Sequence, residues 1–248
     1  MSILSKIKTT TKVEETVESD RLGGASLLDS NVYLMTIKGA YLDQSAGGAS
    51  CLVLALETEQ GKQHRETVYF TNKAGETFYT KDGKTHYLPG YLILDSLCML
   101  ANETPLLEQN FEDKVVKIYD FELKKEIPQN REVAVDLLGQ QVKVAIFRQL
   151  VNKQAKNAKG EYVPTAETRE ENVIAKYFHA ETDQTYGEAK EGIEGGIFMA
   201  EWLKKYEGVV VDKVKPADSS AVGGASSVGK GTSSAPAERK PSIFNKKA

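Results

Sequence analysis

Two hydrophobic periods alternate along the chain, and the points where one gives way to the other mark its elements. From residue 31 the string NVYLMTIKGAYL is rich in β-branched and aromatic residues, which suit a pleated, half-buried surface. Gly47 and Gly48 then turn the chain into SCLVLALE, whose unbroken apolar run at residues 51–56 predicts a strand covered on both faces. HRETVYFTN predicts a third strand. In KAGETFYTKDGKTHY, Ala74-Gly75 and Asp82-Gly83 are turn signals between short aromatic-bearing arms. The period changes in LPGYLILDSLCMLANETP, where Ile93, Leu97 and Leu100 fall at i, i+4 and i+7. Asn102 can close that helix in a left-handed conformation, and Pro105 forbids its continuation. Strand character returns in KVVKIYDFEL and in QQVKVAIFRQLV, where Val142, Val144 and Ile146 alternate with Gln141, Lys143 and Ala145. NVIAKYFHA predicts another strand, GGIFMAEWLKKY a short helix with Phe198 and Trp202 on one face, and EGVVVDKV a closing strand.

Three strands with a hairpin, a helix and two further strands follow the order of an OB-fold, whose strand 2–3 face and loops bind oligonucleotides. The expectation is a mainly β protein, an OB-fold-like closed or partly open barrel with one or two helices, spanning residues 23–215. Residues 1–22 are polar and charged and are expected to be a flexible lead-in. Residues 216–248 are rich in Gly, Ser and Ala, cannot bury enough apolar surface to fold, and are expected to be a disordered tail. Cys51 and Cys98 sit inside apolar runs, which predicts reduced core residues. No secretory leader pattern and no run of eighteen apolar residues is visible, so a soluble cytoplasmic protein is expected.

The net charge of −3 hides an uneven distribution. The tail carries +3, leaving −6 on the rest, so the body is no generic polycation and an anionic partner needs a local groove or the tail.

In the tail, GASSVGKGT has the spacing of a phosphate-binding loop, but Gly231 stands where that loop needs Ser or Thr to hold magnesium, and Pro236 and Pro241 break any following helix. The segment is read as tether. His64, His86 and His179 have no H-x-E, H-E-x-x-H or C-x-x-C pattern near them. Zinc on Cys51, Cys98 and a histidine lacks ligand spacing, and paired acids such as Glu170 and Glu171 read as solvated charge. No catalytic constellation, metal site or cofactor is therefore expected.

Two stretches carry a different signal. Residues 62–91 interleave Tyr69, Phe70, Phe78, Tyr79, Tyr87 and Tyr91 with Lys62, Arg65, Lys73, Lys81 and Lys84. Single-strand binders need this mixture, aromatic faces for bases and cations for the backbone between them. The alternative is ordinary core, and since Tyr69 and Phe70 are neighbours only one of them can point inward. The candidates are Arg65, Tyr69, Lys73, Tyr79, Lys81, Lys84 and Tyr87. The second stretch, KVAIFRQLVNKQAKNAKGEYVPTAETR, carries Lys143, Arg148, Lys153, Lys156 and Lys159 before its first acid, Glu161. Its centre, NKQAKNAKG, reads as the tip of a long hairpin that either clamps a phosphate backbone or is simply made soluble by lysine.

The segments VYLMTIKGAYLDQSAGGASCLVLALE, ETVYFTNKAGETFY, LPGYLILDSLC and EYVPTAETREENVIAKYF resemble the single-stranded-DNA-binding proteins of enquatrovirus-type podophages over most of the chain. The resemblance implies an OB-like core that coats single strands during phage replication and recombination in the host bacterial cytoplasm. Through a basic C-terminal end it also implies activation of host RNA polymerase. The end here, ERKPSIFNKKA, differs from the acidic tail of ordinary bacterial single-strand binders, and Phe244, Lys246 and Lys247 are the candidate docking residues for RNA polymerase or replication proteins. Two other classes stand beside this one: a protein-binding transcription adaptor without DNA affinity, and a nucleic-acid enzyme whose acids assemble only in the fold.

Overall fold

The computed structural model describes residues 27–120, 123–157 and 160–215. At its centre β1 (Asn31–Gln44) pairs antiparallel with two partners. Residues 31–36 lie against β8 (Gln141–Lys156), and residues 35–44 against β2 (Ser50–Thr58). A register shift between Ile37 and Gly39 falls where one partnership gives way to the other, and such irregularities bend a strand. Outside β2 lies β3 (Gln63–Tyr69); outside β8 lie β9 (Tyr162–His179), antiparallel, and β10 (Val210–Asp212), parallel. A hairpin of β6 (Phe111–Asp120) and β7 (Lys125–Ala134) joins the sheet through the pair Tyr41–Val133. The two short strands β4 (Phe78–Lys81) and β5 (Lys84–Tyr87) form a hairpin of their own.

The continuous apolar run of β2 is explained by two separate clusters. Leu52, Leu54 and Leu56 face an inner core with Met35, Ile37 and Leu94, each side chain contributing about 1.5–3 kcal/mol when fully buried. Cys51 and Val53 face the other way, against Tyr41 and Val133, and are covered by Val116 and Ile118 of the β6–β7 hairpin. Both cysteines are free and buried, as their apolar surroundings predict. Burial pushes the Cys98 thiol up to about 12, with the Asp95 charge adding to it.

Helix α1 (Pro89–Asn102) forms where the i, i+4, i+7 pattern predicts it, with Pro in its first turn and Leu94, Leu97, Cys98 and Leu100 buried. Its left-handed cap is Glu103 at φ 59°, not Asn102, whose side chain instead exchanges hydrogen bonds with Gln109 at 3.0 Å. The amphipathic segment near the C-terminal side is α3 (Ile197–Tyr206), with Trp202 packed on Ala145 and Phe178. A further helix, α2 (Tyr186–Glu191), brings the α-helices among the described residues to three, against the one or two expected.

Of the closed or partly open barrel expected, the closed form is corrected, because the sheet does not close. The edge of β3 and the edge of β9 form no ladder. Across that gap the Glu66 carboxylate accepts the backbone N–H of Ile174 at 3.2 Å. Beside it, the Leu28 N–H donates to Asn172 Oδ1 at 2.8 Å and the Leu28 carbonyl accepts from Asn172 Nδ2 at 2.7 Å. The Glu66 side chain thus satisfies one strand N–H, that of Ile174, that a ladder bond would otherwise take, and the Asn172 side chain ties the lead-in at Leu28 to β9. No helix among the described residues is long and apolar enough to cross a membrane. The lead-in at residues 1–22 and the tail at residues 216–248 lie outside the described residues.

Candidate nucleic-acid interface

The aromatic stretch separates into core and surface as strand alternation requires. Phe70 is 7% exposed and joins the inner core, while its neighbour Tyr69 is 50% exposed. Beyond β3, the Asn72 side chain accepts from the N–H groups of Ala74 and Glu76 and forms a turn. Lys73 lies in that turn, with its stem against Gly47 of the β1–β2 loop. Asp82 at φ 52° and Gly83 at φ 73° then make the two-residue turn of the β4–β5 hairpin and set Lys81 opposite Lys84.

This hairpin is exposed along both strands. Tyr79 pairs with His86, ring centroids 5.6 Å apart, and Phe78 pairs with Tyr87. Tyr87 in turn stacks on Tyr91 of α1 at 4.9 Å. Tyr79 and Tyr87 are 42% and 55% exposed. The hairpin is seated by its neighbours: the Leu88 N–H donates to the Thr77 carbonyl at 2.8 Å, and a Cβ at Gly90 would fall 1.9 Å from the Tyr69 carbonyl oxygen. Tyr69 at the end of β3 and Phe78, Tyr79 and Tyr87 of the hairpin before α1 are therefore an exposed aromatic series along the chain, with Tyr79 on the opposite face of the hairpin from Phe78 and Tyr87. Lys73, Lys81 and Lys84 accompany it, and among the described residues none of them has a carboxylate within ion-pair distance.

The basic window has a different environment. Its polar centre is mostly ladder: β8 runs to Lys156 and β9 starts at Tyr162, so the turn is shorter than the string NKQAKNAKG suggests. Strand β9 brings acids alongside. Arg148 holds Asp29 at 2.8 Å and Glu170 at 2.7 Å, contacts that raise its pKa, the Glu170 hydrogen bond most strongly. Lys153 meets Glu167 at 3.0 Å, and Lys143 pairs with Asp183. Lys156 lies over the Tyr162 ring, 5.4 Å from its centroid. Lys159 lies outside the described residues, as do Phe244, Lys246 and Lys247.

One feature escaped the sequence. A groove of about 420 Å³ lies between the outer face of β1–β3 and strand β6. Gly39 and Ala55 meet on its sheet side, where a Cβ on Gly39 would stand 3.3 Å from that of Ala55. Its basic residues are Lys38, Arg65, Lys114 and Lys117. Arg65 donates to the Tyr41 hydroxyl, with its guanidinium 5.7 Å from that ring's centroid. Lys38 pairs with Glu57 at 3.4 Å and Lys114 with Glu112 at 2.6 Å; hydrogen bonds from Gln63 and Lys38 hold the first carboxyl below its usual range, and one from Lys114 the second. The string KVVK is the local sign of it in the sequence, but a strand pattern does not say what the strand faces.

Among the described residues no group of three or more His, Cys, Asp or Glu could hold a metal ion. Cys51 and Cys98 belong to different apolar clusters, so the zinc arrangement weighed from the sequence does not form. No protein-family model matches the chain, and none of the curated proteins matches it.

Proposed function

We propose that this protein binds single-stranded DNA without reading its sequence and performs no chemistry on it. The observation that supports this best is the β4–β5 hairpin, with tyrosines exposed on both of its faces beside lysines that have no ion-pair partner among the described residues. Such rings stack on any base, contributing about 1–3 kcal/mol each, while the lysines meet phosphates. A two-stranded hairpin is marginal by itself, and this one is held to α1 by the Tyr87–Tyr91 stack, which leaves most of its surface open to contacts with a ligand. The chain order lends further support: β1–β2–β3, a helix, then β8 on β1 followed by β9 is the OB sequence of elements, here partly open and with the β6–β7 hairpin inserted. In the same reading the protein is a phage single-strand coat for replication and recombination. Its C-terminal end, carrying Phe244, Lys246 and Lys247, docks RNA polymerase or replication proteins.

Titration of a fluorescent oligothymidine tests the core of the proposal. Binding should exceed that of a duplex of equal length. With four or five phosphate contacts at about −0.7 each, it should fall with salt at a log–log slope of about −3. Equal affinity for duplex, or binding that ignores salt, overturns it and leaves the adaptor reading.

A further inference from the structure

We propose that the groove between β1–β3 and β6 is a second single-strand subsite, taking one nucleotide with its base over Gly39 and Ala55 and its flanking phosphates on Arg65 and Lys117. The inference rests on the reading above and extends it to residues outside the aromatic run. Gly39 and Ala55 leave the sheet nearly bare of side chains at this point, so a flat ring can approach the backbone. Four cations line the opening and no carboxylate does. Glu57 and Glu112 form ion pairs with Lys38 and Lys114, and among the described residues Arg65 and Lys117 have no ion-pair partner. An apolar floor under a rim that keeps two cations without a partner acid, Arg65 and Lys117, fits an aromatic anion better than an apolar peptide, which would gain nothing from the charges. Arg65 is already oriented by the Tyr41 hydroxyl, so little of its freedom remains to be lost on binding. Continuity with the aromatic run comes from β3, where Arg65, Thr67 and Tyr69 alternate outward on one exposed face. A strand following that face passes from the tyrosines to the groove.

The test compares a short oligothymidine of about five nucleotides with a long one of about 20, against intact protein and full-chain variants. Lys114→Glu with Lys117→Glu should weaken the long oligomer about tenfold or more and the short one far less. Lys204→Glu with Lys205→Glu, the same charge change on exposed α3 positions, should weaken both by less than about threefold. Ala55→Leu, which fills the slot, should lower affinity for the long oligomer only. If it unfolds the protein, the exposed charge pair decides alone. Equal losses from both charge pairs, or a long oligomer bound within about twofold of wild type by the groove variants, overturn the proposal; in the second case the groove is left to an apolar peptide segment. Wild-type protein that binds neither oligomer removes the single-strand reading and this subsite with it. Tyr79 and Tyr87 variants that bind normally while groove variants fail would keep the groove and remove the aromatic run.

Discussion

The β4–β5 and β8–β9 hairpins look alike in sequence, each a basic stretch with turn residues at its centre, yet they present opposite surfaces. On β4–β5 the lysines form no ion pair among the described residues and the tyrosines are open to solvent. On β8–β9 the register sets Leu150 opposite Glu170 and Gln149 opposite Glu171, and Arg148, Lys153 and Lys143 are each bound to a carboxylate. A count of charge along a window sees only one strand. The potential at a surface is set by both strands of a ladder, and by loops such as the one that carries Asp183. A phosphate approaching the arm must displace carboxylates already paired to its cations, whereas on the short hairpin the only acid is Asp82 in the turn, which forms no ion pair with either lysine.

Breaking the short hairpin's seat should have the largest effect. Gly90→Ala drives a methyl into the Tyr69 carbonyl, so α1 must shift from β3 at a cost of ~3 kcal/mol, read as a drop in thermal midpoint, with the tyrosine run misaligned. Next come the rings themselves. Tyr79→Ala or Tyr87→Ala should each lose about 1–3 kcal/mol of oligothymidine affinity while the melting curve stays put, and a melting fold with intact affinity would mark those rings as packing residues. A smaller effect concerns the base of the long arm. Glu188, buried in the α2 capping box, accepts the N–H groups of Thr185 and Phe198 at 2.8 Å each. Burial alone would raise its pKa, but these hydrogen bonds win and hold it below the ordinary carboxylate value. Its contribution is therefore complete above the unfolded value of about 4.3 and lost as pH falls through the lower folded value. Glu188→Gln should remove about 1–2 kcal/mol at neutral pH and flatten that acid limb in a stability-versus-pH series. The smallest change is expected in the arm: Lys153→Ala should alter oligothymidine affinity by less than about twofold, since the lysine already has Glu167, and a larger loss would mean the ion pair opens to a phosphate.

How much of this was legible depended on whether a signal was local. Helix α1 announced itself because its buried face is written at helical spacing and its ends carry Pro89 and Pro105. The opposite facing of Tyr69 and Phe70 follows from strand geometry alone. Strand β7 was missed because KEIPQNREVA holds Pro128 and mostly exposed polar residues, a pattern tolerated on a strand that pairs fully with β6 and only once with β1. Without β7 there was no hairpin to cover Cys51 and Val53, and so no groove beside Ala55. Helix α2 was missed because six residues are too few for periodicity to register, and its stability comes from the Thr185–Glu188 capping box. The open gap between β3 and β9 could not be read either, since Glu66, a charged residue on a strand, gives no hint that it meets the Ile174 N–H from far along the chain.

The division of β1 between two partners also sets the order in which the protein can assemble. Its second half finds β2 within a few residues, across a short loop, but its first half pairs Asn31 with Ile146. At about 5–20 residues per second a ribosome needs on the order of ten seconds to deliver that partner. During this interval the β1–β2–β3 meander can close, because its contacts are local, while Val32 and Leu34 wait on an unsatisfied edge. The nascent chain is thus most adhesive before β8 emerges, and slower growth at low temperature or a holdase chaperone should raise the yield of correctly assembled protein without changing its final stability.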